Sequence, residues 1–407
     1  MIYWVNQYAV APDQPGGTRH LEMARELVAQ GREVTIVASD LNLNLRRYLR
    51  RSDASERRRI REVIDGVRFV WLSAGHYERN DWRRALSMLL FAWQALRYLL
   101  TAPTRSGSVF IGSTPHLPAA AATWIAARLG RVPFVLEVRD LWPESMVGVA
   151  GTAGSPLVPM MRVLSDLLYR RADAIVVLAR PNIDRLVERG ADRERISYIP
   201  NGVDPSAFED PDPDHLSLDV PPEKKVLVYT GAHGPANGLD IGLYAARQLM
   251  DWGADDVHML LVGDGPAKED LVGLAGELDL HNVTFADPIP KQQIPALLDR
   301  CHGGLMLLAD VEVFRYGVSP NKLFDYLSAG LPVVTNVPGE VARIVEDADA
   351  GVVVPPADPT ALAGVIARLA AQDRGSTGGP AYVRAYHDRR KLAADLAAVV
   401  DRVLGDG

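Results

Sequence analysis

Up to Pro200 the chain is punctuated by short apolar runs, IYWVNQY, EVTIVAS, VRFVWLS, SVFIGS, FVLEV, AIVVLA and ISYIP, separated mostly by segments of helical period. Strand-length runs alternating with longer amphipathic stretches imply parallel strands with helical crossovers. After Pro200-Asn201-Gly202-Val203-Asp204 the alternation stops in PSAFEDPDPDHLSLDVPPEKK, whose prolines bar regular structure. It restarts with KVLVYTG, VHMLLVGDG, NVTFAD, GGLMLL, PVVTN and GVVVP. The pattern predicts two Rossmann-like α/β domains, each a doubly wound parallel sheet, over residues 1–204 and 205–380, joined near 200–224 and followed by a terminal helical stretch, 381–407. In such folds ligands collect at the carboxyl ends of the strands, and two facing domains make a cleft there.

Composition narrows what such a cleft binds. With 407 residues, 48% of them hydrophobic, the chain has core enough for two domains. A net charge of -7 argues against bulk nucleic-acid binding, which needs a basic surface, although local basic patches remain compatible with it. The single cysteine, Cys301, forms no internal disulfide, and no Cys/His cluster has zinc-like spacing, so no metal site is expected. MIYWVNQYAV reads as a first strand rather than a signal peptide, and a cytoplasmic location is expected.

The first strand-to-helix turn, PGGTRH, lacks the G-x-G-x-x-G triplet of dinucleotide-binding domains. It offers bare backbone at Gly16 and Gly17, a capping candidate in Thr18 and a cation in Arg19, where helix amides favour anions. A tight turn with a solvated arginine is the plain alternative. In the second domain YTGAHGPANGLD is another glycine-rich turn, with His233, Gly234 and Asn237, and LLVGDGP brings Gly263 to a second strand end. In FRYGVSPNKLFDYL, Ser319-Pro320-Asn321-Lys322 opens a helix with Asp325 about one turn on. Amides and an ammonium that take a diphosphate, beside a carboxylate that accepts from ribose hydroxyls, make a nucleotide-diphosphate site. Taken singly, Asp325 is a helix acid favoured by the dipole and Lys322 a surface residue.

The stretches NQYAVAPDQPGGTRHLEMARELVAQGREVTIVAS, IPNGVD, LLVGDGP, NVTF and SPNKLFDYLSAGLPVV together resemble a family 4 retaining glycosyltransferase of the GT-B fold, and the likeness covers nearly the whole chain. GGTRH, EVRDLWPES, GP-x-x-GLD and SPNKLFDYL are most similar to the WbuB-like branch of fucosamine and related aminosugar transferases of surface-polysaccharide assembly. By this resemblance Asp325 stands for the second glutamate of the family's pair, which binds the ribose, while the first falls at Gly317 and is missing. Glu312, Arg315 or the backbone at Val318 and Ser319 are then left to contact the donor sugar. The family's arginine and lysine after the first strand of the second domain fall at Ala232 and Asn237, which leaves Lys322 as the main cation on the leaving group, with Arg19 or Arg139 as auxiliaries. Phe285 and its neighbours receive the base, and Gly16 and Gly17 approach the phosphate and sugar from the other domain.

The resemblance implies transfer of a sugar, by the branch an N-acetylaminosugar, from a nucleoside-diphosphate sugar to a hydroxyl of a glycan, lipid-linked or small-molecule acceptor. UDP is the favoured carrier, with GDP and dTDP open, and no metal is expected, because cations and helix amides stabilise the departing oxygen. On the acceptor side STPHLP and EVRDLWPES offer His116 and Asp140 to orient or deprotonate the hydroxyl, and Arg139 or Glu144 to bind substrate. Each has a plain alternative: His116 caps the next helix, and Arg139 pairs with Asp140. Two rival functions stand beside this one, a nucleotide-sugar 2-epimerase on the same scaffold and a binding protein without catalysis, the latter prompted by Gly317, Ala232 and Asn237.

Residues 46–61, RRYLRRSDASERRRIR, are dense in arginine, and WRRALSMLLFAWQALRYLL follows as an apolar helix too short and interrupted to span a bilayer. A basic segment beside such a helix fits peripheral contact, through residues 46–100, with the inner face of an anionic membrane. A core helix with a solvated or mobile arginine flap is the alternative. The last stretch, YVRAYHDRRKLAADLAAVVDRVL, reads as one or two helices, and by analogy with GT-B proteins the terminal one packs back on the first domain.

Overall fold

The structure is a computed structural model that describes residues 1–12, 16–42, 47–51, 59–77, 82–150, 154–372, 375 and 377–405. Much of the arginine-rich stretch, residues 46 and 52–58, lies outside the described residues. Strands β1 (Ile2–Val5), β2 (Val34–Ser39), β3 (Ile60–Ile64), β4 (Val67–Leu72), β5 (Val109–Ser113), β6 (Phe134–Val138), β7 (Ala174–Val177) and β8 (Ile196–Tyr198) form one sheet. A second sheet comprises β9 (Lys225–Thr230), β10 (Val257–Val262), β11 (Val283–Ala286), β12 (Gly303–Met306), β13 (Val333–Thr335) and β14 (Gly351–Val353). The helices in the first part of the chain are α1 (Arg19–Ala29), α2 (Trp82–Leu100), α3 (Leu117–Gly130), α4 (Glu144–Ala150), α5 (Leu157–Arg171) and α6 (Pro181–Glu188). They are followed by α7 (Leu239–Asp251), α8 (Lys268–Glu277), α9 (Ile294–Asp299), α10 (Glu312–Tyr316), α11 (Asn321–Ser328), α12 (Glu340–Asp347), α13 (Pro359–Ala370), α14 (Gly379–Tyr386) and α15 (Arg389–Gly405). Residues 1–11, 16–200 and 389–407 make one compact unit and residues 201–388 belong to the other, so the chain leaves the first unit at Pro200 and rejoins it at Arg389.

The first sheet runs β3-β4-β2-β1-β5-β6-β7-β8 and is parallel except at its edge, where β3 lies antiparallel to β4. That hairpin closes on Asp65-Gly66, both with positive φ (50° and 78°), the backbone a two-residue turn between twisted strands needs. The end of the presumed arginine flap, from Ile60, is therefore an edge strand. Period-2 alternation splits the core: Ile2 and Trp4 point to the layer of α1 and α15, Tyr3 and Val5 to the layer of α2, α3, α5 and α6. Leu392, Leu396, Val399 and Val403 line one face of α15, which packs on α1, and Arg389 meets Glu22 at 2.8 Å.

The second sheet, β11-β10-β9-β12-β13-β14, is parallel throughout. Val226 and Val228 face the core shared with α9, α11, α12 and α14, and Leu227 and Tyr229 face that of α7, α8 and α13. The strand order reverses between β1 and β5 in one sheet and between β9 and β12 in the other. Diverging loops open a crevice at such a switch point, which makes the carboxyl ends of these strands the places to look for a site. Among the described residues no helix is long and apolar enough to cross a membrane.

Candidate active site

In the second unit the chain leaves β9 through Gly231-Ala232-His233. The His233 N–H donates to Asp264 O at 2.9 Å and Ala267 N–H to His233 O at 2.9 Å, which locks the loop after β9 to the loop after β10. The two loops approach so closely that a Cβ on Gly263 (φ 155°) would fall 1.8 Å from Gly231 O, so glycine is a steric requirement here. Asn237 donates from Nδ2 to Ala232 O at 2.6 Å and closes the turn that Gly234 opens. One of the two N–H groups of its amide is therefore used within the loop.

His233 is fully buried, and among the described residues neither ring nitrogen has a hydrogen-bond partner. Burial, helped by the charge of Lys268, lowers its pKa to about 4, so the ring is neutral near pH 7. It lies edge-to-face with Phe285 of β11, centroids 6.1 Å apart, and 6.0 Å from the Tyr229 ring. Lys322, in the first turn of α11, places Nζ 3.5 Å from the Tyr229 ring centroid and beside Gly231, where a Cβ would stand 2.9 Å from it. No carboxylate or carbonyl of the described residues accepts from this ammonium, and burial holds its pKa well below the usual lysine value. Lys268, which sequence reasoning overlooked, is in contrast spent on Gly263 O at 3.0 Å and Asp287 at 2.8 Å.

Asp325 is buried on α11, and both its oxygens accept from Lys291 at 2.5 Å. Nothing in the spacing of PKQQ and FDYL announces this pair, since Lys291 comes from the turn before α9. Ser319 does not stand open: its Oγ accepts from Asn201 N–H at 2.9 Å and its carbonyl from the Asn201 side chain. Next to it are Val318, and Asn321, whose Oδ1 is buried with no hydrogen-bond partner among the described residues. Arg315, a stand-in for the missing glutamate, is clamped by Asp310 at 2.7 Å and 2.9 Å. Gly317 has a φ of 158° and follows the five-residue α10 that begins at Glu312.

In the first unit the carboxyl ends of β1, β5 and β6 meet in a buried polar network. Glu137 accepts from Arg19 Nε at 3.0 Å, from Ser113 Oγ at 2.5 Å and from His20 Nε2 at 3.1 Å. Burial alone would raise the Glu137 carboxyl, but the hydrogen bond from His20 and the charge of Arg19 outweigh it and hold it well below the carboxylate range. Burial keeps His20 neutral, with a pKa lowered to about 4. The one direct signal of the network in the sequence was the charged residue inside the apolar strand FVLEV.

This network corrects the role expected of Arg19. The side chain is 1% exposed, and its guanidinium also serves the carbonyls of Ile199 at 3.0 Å and Pro200, so it ties strand ends together rather than meeting a donor. Thr18 sits at the helix start, yet its hydroxyl donates to Glu22 instead of capping backbone N–H groups. Gly16 (φ 144°) and Gly17 stay exposed in the turn. His116 is fully buried and caps α3, its Nδ1 accepting from Ala119 N–H at 2.9 Å, and burial lowers its pKa to about 3. The ring thus caps a helix through Nδ1, while its Nε2 has no hydrogen-bond partner among the described residues. Glu144 is likewise engaged, by Arg162 at 3.0 Å and Arg189 at 3.2 Å. Thr114 Oγ1 accepts from Arg139 N–H at 3.0 Å and donates to Asp140 O at 3.2 Å; Asp140 is exposed, and Arg139 lies partly buried with Nη1 3.4 Å from His20 Nδ1.

Two Rossmann-like units with polar groups gathered at the ends of their parallel strands define an enzyme of the GT-B architecture. The first matches the glycosyl transferase 4-like domain over residues 16–202 and the second the glycosyl transferases group 1 family over residues 224–372. The chain belongs to these glycosyltransferase families. It is 25% identical over 353 residues, 81% of each chain, to WcaI of Escherichia coli K12, whose name assigns it to glycosyl transfer in colanic acid biosynthesis. It is 27% identical over 395 residues to the D-inositol 3-phosphate glycosyltransferase of Thermomonospora curvata, covering 89% of this chain and 85% of that one. Among solved structures it resembles sucrose-phosphate synthase of Thermosynechococcus elongatus, with TM-score 0.77, 17% identity and coverage of 100% and 99%. Anabaena HepE in complex with UDP and glucose superposes with TM-score 0.70 at 16% identity, covering 98% and 99%.

Proposed function

We propose that the chain transfers a sugar, an N-acetylaminosugar by its motifs, from a UDP-sugar to a hydroxyl of a glycan, lipid-linked or small-molecule acceptor, with retention and without a metal, at the cytoplasmic face of a membrane. The observation that carries the donor site is the buried Lys322 ammonium without an acceptor beside a buried His233 with two unpartnered ring nitrogens. A buried cation without a counter-ion is costly, and a diphosphate is the ligand that relieves it. That the HepE structure holds UDP supports the choice of carrier. Family models and relatives named for glycosyl transfer count against the epimerase alternative.

In this reading Lys322 and the first amides of α11 neutralise charge on the leaving diphosphate as the glycosidic bond lengthens. Neutral His233 donates one hydrogen bond to a phosphate or sugar oxygen. Asp325, held in place by Lys291, accepts from the ribose, and Phe285 flanks the base. Gly16 and Gly17 leave bare backbone for a phosphate or sugar, and Arg139 and Asp140 serve the acceptor hydroxyl. Calorimetric titration with UDP-sugars, repeated on Lys322→Met, tests the reading. Unchanged affinity in that variant overturns the donor site, and an inverted anomer in the product, read by NMR, overturns retention.

A further inference from the structure

The first sheet has a corner, at the β3 edge, that its helices leave open. Ile60 and Ile64 of β3 pack toward α1 and α15, so period-2 alternation turns Arg61 and Val63 to the opposite face. On that face the ladders set two rows side by side, Val63, Arg68, Thr35 and Tyr3 in one and Arg61, Val70, Val37 and Val5 in the other. Val63 is 67% exposed, so no described residue covers its end of the row. Between these rows and the end of α2 runs a groove of about 340 Å³, lined by Tyr3, Thr35, Arg61, Val70, Tyr98 and Pro103. Tyr3, Thr35 and Arg68 are each the second residue of their strand, which puts the groove at the amino end of the sheet, away from the carboxyl ends that hold the Glu137 network.

The aromatic wall of this groove is preformed. Tyr3 donates from its hydroxyl to Pro103 O at 2.8 Å and meets Tyr98 edge to face, with centroids 6.3 Å apart. The charge beside the wall is not spent. Glu33 is taken by Arg68 and lies 3.6 Å from Arg105, and Glu62 turns to the other face, where it accepts from Arg50 at 2.9 Å and from Trp71 Nε1 at 2.7 Å. No carboxylate of the described residues pairs with Arg59 or Arg61. The Arg59 guanidinium lies over the Tyr98 ring, 5.3 Å from its centroid. Tyr98 is 7% exposed, and no described residue hydrogen-bonds its hydroxyl. Burial raises the Tyr98 pKa while the charges of Arg61, Arg59 and Arg68 pull it down, which gathers three guanidinium groups about that hydroxyl.

We infer that this groove is a second ligand site of the first unit and takes a small ring-bearing phosphate, its ring against Tyr3, Tyr98 and Pro103 and its phosphate on Arg59, Arg61 and the Tyr98 hydroxyl. Two guanidinium groups without acids match the nearly dianionic charge of a phosphate monoester, whereas a carboxylate would satisfy one of them. The volume lies at the small end of ligand pockets and suits one ring with its anion. The inference is independent of the proposed transfer.

Calorimetric titration of the full chain with phenyl phosphate tests it, with UDP held at saturation so that the proposed donor site is filled. Phenyl phosphate should bind at least about tenfold more tightly than inorganic phosphate, which lacks the ring, or phenol, which lacks the charge. Arg61→Glu should weaken its binding by more than about tenfold, and Tyr98→Phe, which removes only the hydroxyl, by about fivefold. Lys322→Met should bind it as the wild type does. Absence of binding up to about 10 mM phenyl phosphate overturns the inference. So does binding that either Arg61→Glu or Tyr98→Phe leaves unchanged, or that Lys322→Met removes, because the probe then sits elsewhere. Equal affinity for inorganic phosphate or for phenol overturns it as well. Failure of UDP itself to bind would count against the donor site alone.

Discussion

The ammonium of Lys322 stands 3.5 Å from the centroid of the Tyr229 ring, and among the described residues it touches no counter-ion. A cation over an aromatic face is partly compensated, but less than by a carboxylate. A buried lysine so placed gains a counter-charge when an anion binds beside it. Replacing Lys322 with Met should raise the stability of the nucleotide-free protein by about 1 kcal/mol while removing the thermal shift that UDP produces. Melting curves with and without UDP measure both quantities; a variant that melts lower but keeps its shift contradicts the assignment.

The depressed pKa of Lys322 gives UDP binding a pH dependence. In the free protein the ammonium releases its proton more readily than a lysine in water does, and a bound diphosphate reverses that. Binding should then take up a proton, and affinity should fall as pH rises through the depressed free value, by at most about tenfold per pH unit. Calorimetry in buffers of different ionisation heat detects the uptake, and Lys322→Met should abolish it.

Three buried histidines make the fold sensitive to mild acid. The folded pKa values of His20 and His233 are lowered to about 4 and that of His116 to about 3, below an unfolded value of about 6.5. Between these limits the unfolded chain binds more protons, so stability is full above the unfolded value and is lost as pH falls toward 4. For His116, 0% exposed, the loss amounts to at most a few kcal/mol, roughly 1.4 per pH unit between the two values. Denaturant titrations at pH 7.5 and pH 5 should show the loss, and His116→Asn, which retains a helix cap, should make it smaller.

Removing Glu137 strands Arg19 without its carboxylate in a place where both side chains are 1% exposed. Glu137→Ala should cost about 3–5 kcal/mol, and Glu137→Gln less, since an amide still accepts from Arg19. Equal melting temperatures for wild type and Glu137→Ala would show the network to be dispensable.

A Cβ at residue 263 has nowhere to go without parting the two loops after β9 and β10. Gly263→Ala should weaken UDP binding together with stability, because the backbone carbonyl of Gly231 must move. Exposed Gly17 is the contrast: a bulky residue there should harm turnover while UDP affinity holds, and equal loss of both points to a merely structural turn.

Alternation of strand and helix, the parallel sheets and the loops that carry Gly231, Gly263 and Lys322 were legible in the chain because each is a local pattern. Apolar runs have a period, and a glycine-rich turn between strand and helix has few uses. The edge strand from Ile60 escaped because its charged residues hid a short alternating segment, although Asp65-Gly66 marked the turn.

The sequence by itself determined which backbone turns exist and which charges they carry. Only the tertiary structure decided which of those charges are available. Arg19, Glu144 and Arg315 all read as candidate substrate contacts, and each is consumed by a residue distant in sequence or on a neighbouring turn: Glu137, Arg189 and Asp310. Lys322 and His233 read no differently, yet among the described residues no acceptor or hydrogen-bond partner reaches them. Whether a polar group is satisfied depends on what folding brings within hydrogen-bond reach, and no local pattern encodes that.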